Sequence, residues 1–245
     1  MFLKPTYPFA RKLHRRAALA GILTALLMLC GCKHVPSTTV YPDPDAYAIR
    51  GIDISAHNGD IDFEAVKRDG ISFVLIKATE GTSFKDRKFQ ANYLAAKTAG
   101  LMVGAYHFFR FDAPGYMQAL NIANSLNGRT IDLPVAIDIE EWTNPNSQAT
   151  DLIQDRLDEM IDYLESHGYR VMLYSNKNGS ARFIRGRYEG YPLWLCSLGA
   201  EPAEFDWTLW QATHHGAVKG VKGAVDVNAF NGTPEAWANF LGLAQ

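Results

Sequence analysis

Cysteine is scarce in this 245-residue chain: Cys30 and Cys32 sit near the N-terminus, and Cys196 stands alone beyond them. The part after residue 32 therefore cannot close an internal disulfide, and its stability must come from a buried core. Positive charge is equally thin there. Residues 1–32 hold five basic side chains (Lys4, Arg11, Lys12, Arg15, Arg16) and no acidic one, which leaves 19 basic against 26 acidic residues and a net charge of −7 for the rest. Such a body lacks the basic footprint of a nucleic-acid binder, so nucleic acid is excluded as a partner. No apolar run reaches the ~20 residues that span a bilayer. An HExxH motif, Cys/His ligand spacing, a Gly-x-Ser-x-Gly elbow, a Walker loop and a dinucleotide fingerprint are all missing. What is present is a globular composition, 47% hydrophobic, 20% charged and 12% aromatic, which excludes disorder and collagen-like repetition.

The basic N-terminus has a specific layout. Arg11 to Arg16 form a positive region, Ala17 to Leu29 an apolar run of signal-peptide length, and Leu29-Cys30-Gly31-Cys32 resembles the lipobox of bacterial lipoproteins, in which the cysteine after a small residue is cleaved at and lipidated. Residues 1–31 are accordingly expected to be a signal peptide and Cys32 the acylated N-terminus. Plain secretion and a short uncleaved anchor are the alternatives. Lys33 to Tyr47 carries three prolines and no apolar periodicity, so 32–47 is expected to be a flexible tether and 48–245 the folded domain. This places the protein in the cell envelope, held at a membrane by its N-terminal lipid and facing the periplasm or the cell surface.

Eight short apolar runs follow: Ala48–Ser55, Phe73–Thr79, Met102–Phe108, Pro134–Glu140, Arg170–Ser175, Leu193–Ser197, Thr208–Ala212 and Gly223–Phe230. Between the early ones lie amphipathic stretches. Asp86–Ala99 aligns Phe89, Tyr93 and Ala96; Thr150–His167 aligns Ile153, Leu157, Met160, Ile161 and Leu164; Thr233-Pro234 opens a last helix through Trp237 and Phe240. Strand alternating with helix predicts an α/β fold, an irregular TIM-like (β/α) barrel of eight strands with about five helices in a single domain. The last three strands stand too close together for helical crossovers, which need a dozen or more residues, so loops join them and one antiparallel strand is accommodated.

Side chains alternate along a strand. In Val135-Ala136-Ile137-Asp138-Ile139-Glu140 the apolar residues face the helices, and Ala136, Asp138 and Glu140 face the barrel axis. The same parity turns Asp53 inward on the first strand and Asp226 with Asn228 inward on the last, and a closing barrel makes those two strands neighbours. Four carboxylates thus converge on one mouth, where barrels place their polar active-site groups. Like charges so close raise at least one pKa, which readies a carboxylic acid to donate a proton near neutrality. That is the chemistry of glycoside cleavage. The bland alternative for any one of them is pairing with a barrel lysine such as Lys77.

The residues Gly51-Ile52-Asp53-Ile54-Ser55-Ala56-His57-Asn58-Gly59, Ile76-Lys77-Ala78-Thr79-Glu80-Gly81-Thr82-Ser83-Phe84-Lys85-Asp86, Gly104-Ala105-Tyr106-His107-Phe108, Asp138-Ile139-Glu140, Trp210-Gln211 and Val225-Asp226-Val227-Asn228 occur in that order over about residues 48–232. This series resembles the glycoside hydrolase family 25 lysozymes, the Chalaropsis-type muramidases. The resemblance implies a monomer that cleaves the β-1,4 bond between N-acetylmuramic acid and N-acetylglucosamine in peptidoglycan glycan strands, without a metal or other cofactor. It also implies that Glu140 is the general acid, Asp138 its partner, and Asp53 and Asp226 the other acidic positions. Inverting, retaining and substrate-assisted routes remain open, since the i, i+2 spacing of ~6.6 Å separates none of them; the third gives Asp138 and Glu140 complementary roles. A catalytically silent wall-binding lipoprotein and a hydrolase of another N-acetylhexosamine polymer are the alternative functions.

Tyr106, Tyr174, Trp194 and Trp210 are candidates for stacking on sugar rings, and Gln211, Asn228 and Glu80 for binding polar groups, although Glu80 is more readily paired with Lys77. The chain departs from the resemblance after Trp194, where Leu195-Cys196-Ser197 replaces a small residue and tyrosine, and at Ala212, where an aromatic is common. His57 and His107 lie near the expected mouth, His214-His215 reads as a solvated loop, and Cys196 as a buried small hydrophobe.

Overall fold

The computed structural model describes residues 46–145 and 147–243. The expected signal peptide, Cys32 and nearly all of the tether lie outside them. Strand β1 (Arg50–Ile54) leads through α1 (Phe63–Arg68) to β2 (Phe73–Glu80), which folds back on the two-residue β3 (Phe84–Lys85). There follow α2 (Phe89–Thr98), β4 (Met102–Phe108), α3 (Gly115–Leu126), β5 (Val135–Asp138), α4 (Thr150–Ser166), β6 (Val171–Asn176) and α5 (Lys177–Gly179), which runs into a π-helical turn. The chain ends with β7 (Leu193–Cys196), β8 (Leu209–Gly216), β9 (Val225–Phe230) and α6 (Pro234–Leu241).

Strand β1 pairs in parallel with β2 and antiparallel with β9, which closes eight strands into a barrel with β3 as a flap on β2. All eight expected strands are present. The antiparallel one is the last, since β9 runs against both β8 and β1. Among the described residues there are six helices where about five are expected; α1, α3 and the short α5 are the ones that the hydrophobic pattern does not locate.

The apolar residues divide by parity. Ile52, Ile54, Val74, Ile76, Val135, Ile137 and Ile139 face outward and are covered by the helices, including the buried stripe Ile153, Leu157, Met160, Ile161 and Leu164 of α4. Phe73, Leu75, Ala136, Met172 and Leu209 fill the barrel itself. Each of these side chains larger than alanine contributes roughly 1.5–3 kcal/mol by leaving water. Gly51 is required at its inward position because a Cβ there would stand 2.3 Å from the ring of Phe73. Helix α6 stoppers the end opposite the mouth: Thr233 caps it, Pro234 occupies its first turn, and Trp237 packs against Phe73 and Phe230 at 5.1 and 4.9 Å between ring centroids. The filled lower half leaves the C-terminal ends of the parallel strands open to ligand.

Candidate active site

The open end holds a cleft of about 910 Å³. Asp53, Asp138, Glu140 and Asp226 all line it, as do Glu80, Tyr106, Tyr174, Trp194 and Gln211. Asp138 ends β5, and Glu140 lies two residues on, where the chain is pinned from both sides: Ile139 N–H donates to Tyr174 O at 2.9 Å, and Asn144 Nδ2 donates to Glu140 O at 2.9 Å.

Asp53 and Asp226 are direct cross-strand partners on β1 and β9. One amide serves both, since Gln211 Nε2 donates to Asp53 Oδ2 at 2.9 Å and to Asp226 Oδ2 at 3.2 Å. Asn228 Nδ2 adds a second donor, 2.8 Å from Asp53 Oδ2, while its Oδ1 accepts from Trp194 Nε1 at 2.8 Å. Asn228 is thus fully buried beneath the cleft, where it holds Asp53 and Trp194 and leaves the ligand to others. Tyr174 O–H donates to Gln211 Oε1 at 2.8 Å, so the two aromatic candidates of β6 and β7 belong to the same network.

Burial, joined by the charge of Asp226, pushes the Asp53 carboxyl well above its usual range against the pull of Asn228 and Gln211. Asp138 is also pushed well up, by burial and then by Glu140, with Lys77 opposing. Its Oδ1 is buried and has no hydrogen-bond partner among the described residues. Glu140 is raised by burial, and the positive charges of His214 and then Lys77, with a hydrogen bond from Asn176, pull it back. Lys77 is held 2.8 Å from Glu80 Oε2 and sits over the ring of Phe108, so the expected Lys77–Glu80 pair forms at the edge of the cleft.

Besides Asn228, further expectations need correction. Trp210 does not reach the cleft: it is the outward neighbour of Gln211, buried against Tyr47 and Trp207, with Nε1 bonded to Ser197 O at 2.8 Å. Strand alternation forbids two adjacent residues from sharing a face. Cys196 is not a buried hydrophobe; it is partly exposed and lines the cleft. His214 is not on a solvated loop. It belongs to β8, its Nδ1 is 3.2 Å from Asp226 Oδ1 and its Nε2 is 3.9 Å from Cys196 Sγ. The bond to Asp226, followed by that to Cys196, raises its pKa to about 10. Trp142, which sequence reasoning does not single out, stands at the rim with 70% of its surface exposed and its ring edge-on to Phe108. Of the other histidines, His57 lines the cleft, whereas His107 is buried behind β4. No group of three or more His, Cys, Asp or Glu side chains among the described residues is arranged to hold a metal ion.

A barrel whose C-terminal mouth gathers buried, mutually perturbed carboxylates beside aromatic walls is built like an acid–base glycoside hydrolase. The chain belongs to glycosyl hydrolases family 25, whose family model matches residues 52–221. It is 36% identical to lysozyme M1 of Streptomyces globisporus over 82% of this chain and 72% of that one. It is 32% identical to the autolytic lysozyme of Clostridium acetobutylicum over 75% of its own length, but spans only 56% of that relative. Among solved structures, a family 25 glycosyl hydrolase from Bacillus anthracis superposes with a TM-score of 0.77 at 33% identity, covering 83% of this chain and 98% of that one. The lysozyme of Streptomyces coelicolor gives 0.69 at 35% identity, with 80% and 97% covered.

Proposed function

We propose that the protein is a peptidoglycan hydrolase, a muramidase that cleaves the β-1,4 bond between N-acetylmuramic acid and N-acetylglucosamine. The observation that carries this reading is the Asp138–Glu140 pair, two carboxyls at one strand end that open into an aromatic-walled cleft. Burial and mutual repulsion keep a proton on the pair as pH rises, so one is available to the leaving oxygen. Glu140 delivers it while the bond to the anomeric carbon breaks. Asp138 faces the developing oxocarbenium-like centre, and its partnerless oxygen suits the N–H of a substrate N-acetyl group. That fit favours substrate assistance: the acetamido oxygen attacks, and Glu140 then takes the proton from the water that opens the resulting ring. Clean inversion of the product, read by NMR, would eliminate that route.

The test of the activity is muropeptide analysis of purified wall after digestion. Products with N-acetylmuramic acid at the reducing end support the reading; N-acetylglucosamine reducing ends, or binding to sacculi without release, overturn it. The enzyme works as a monomer in the cell envelope, tethered through a lipid on Cys32. No described helix is long and apolar enough to cross a membrane, and an acidic body has no general attraction to an anionic wall, so the tether supplies proximity. Cys32→Ser should shift the protein from the membrane to the soluble fraction; equal activity of the untethered form on intact sacculi at low and high salt would leave the tether without that role.

A further inference from the structure

We propose that His214 is a positioning residue of this site: bonded to Asp226 at the mouth, it fixes that carboxyl in place and sets a cation in the cleft that Glu140 shares. The inference rests on the reading of Glu140 as the acid.

The geometry is a network across three neighbouring strands, β8, β9 and β1. His214 Nδ1 lies 3.2 Å from Asp226 Oδ1, and the other oxygen of Asp226 accepts from Gln211, whose amide also holds Asp53. Asp226 thus meets a charged donor on one oxygen and a neutral one on the other. Strands packed on β8 present two titratable groups to His214, Asp226 from β9 and Cys196 from β7, and Glu140 lines the same cleft. On β8 itself His215 is the adjacent titratable residue, and it is exposed. His214 and Glu140 line the same cleft, where the charge of His214 pulls the Glu140 carboxyl down, as does that of Lys77. Lys77 is already answered by Glu80 at 2.8 Å. The imidazolium of His214 is held by one carboxylate, and its side chain remains 41% exposed toward the open cleft.

The experiment compares wild type, His214→Gln and His214→Lys by two readouts: 13C NMR titration of the Glu140 carboxyl, and the pH profile of kcat/KM on peptidoglycan. Removing the cation should move the Glu140 titration, and with it the basic limb of the profile, to higher pH, and lysine should bring both back toward wild type. Superimposable titrations of wild type and His214→Gln, or a lysine variant that behaves like glutamine, would overturn the proposal. Asp226→Asn supplies an independent check, since the ring of His214 should then titrate closer to the ordinary imidazole value of 6.5 than to about 10; an unchanged titration would count against the pair. If the NMR shift appears while wild-type protein releases no muropeptides, the positioning role stands and the assigned activity falls. Cleavage with unmoved titrations leaves the activity standing and removes the positioning role.

Discussion

His107 and Gln118 are locked to one another across the wall of the barrel. His107 Nε2 lies 3.1 Å from Gln118 Oε1, and Nδ1 lies 2.7 Å from Thr79 Oγ1. The Gln118 amide also donates to the carbonyls of Arg110 and Ala113, which fixes its orientation. Oε1 can only accept, so His107 carries its proton on Nε2 and takes the Thr79 hydroxyl on Nδ1. Burial, reinforced by the charge of Lys77, lowers its pKa to about 4. The unfolded chain binds a proton as pH falls below 6.5 and the folded one does not until about 4. His107 therefore contributes stability above 6.5 that is lost on acidification, up to about 3 kcal/mol. Urea midpoints at pH 7 and pH 5 should differ more for wild type than for His107→Gln; equal differences would mean that the ring titrates normally.

Glu140→Gln keeps the shape of the side chain and removes the transferable proton. We expect clearing of a wall suspension to fall by about 10²–10⁴-fold with an unchanged circular dichroism spectrum. A variant that clears at wild-type rate would remove Glu140 from the acid role.

Asp138→Asn should separate activity from stability. The folded protein holds this carboxyl above its ordinary value of 3.8, so the group favours folding below that pH and loses its contribution as pH rises through the raised value. At pH 7 the amide should raise Tm while abolishing cleavage, each kcal/mol recovered reading as roughly 2–4 °C in a domain of this size. The gain should vanish below about pH 4, and differential scanning calorimetry at the two pH values measures both.

Trp142 is displayed by a turn in which Thr143 adopts a left-handed φ of 58° and its carbonyl accepts from Arg110 Nη1 at 2.9 Å. A side chain held out into solvent in this way has little to do with stability. Trp142→Ala should raise KM on wall fragments by roughly 2–10-fold, with kcat and Tm near wild type, if the ring stacks on a sugar. An unchanged KM would show that the ring only borders the cleft.

Gly115 lies where α3 crosses α4, and a Cβ there would meet the carbonyl oxygen of Arg156 at 1.6 Å. Gly115→Ala should cost about 1–3 kcal/mol or more, because backbone cannot yield as a side chain can. Chemical denaturation measures this directly.

Strand parity is strong sequence information, and it places Asp53, Asp138, Glu140 and Asp226 on one mouth because apolar neighbours mark the outer face unambiguously. Trp210 is misplaced when its likeness to sugar-binding aromatics is weighed above that parity. His214 is illegible for a different reason. Register shifts follow Gln211 and Thr213 in the β8–β9 pairing, and such bulges re-aim side chains that strict alternation would point elsewhere. Helix α3 escapes notice because its buried face carries Gln118 and Asn121. Asn121 Nδ2 ties down Gly81 O at 2.9 Å and Phe84 O at 3.1 Å, so the residues that blur the apolar stripe are those that tie down the β2–β3 turn and the segment after β4.

The antiparallel β9 has a temporal consequence. The bond from Asn228 to Asp53 joins residues 175 positions apart and that from Gln211 joins residues 158 apart, so the first carboxylate of the mouth is held by strands made long after its own. A ribosome-bound chain that stops short of β9 has no closed ring, and it has neither Asp226 nor the amide of Asn228. Contacts of such long range form late and slowly, so the four carboxylates share one mouth only once the ring has closed.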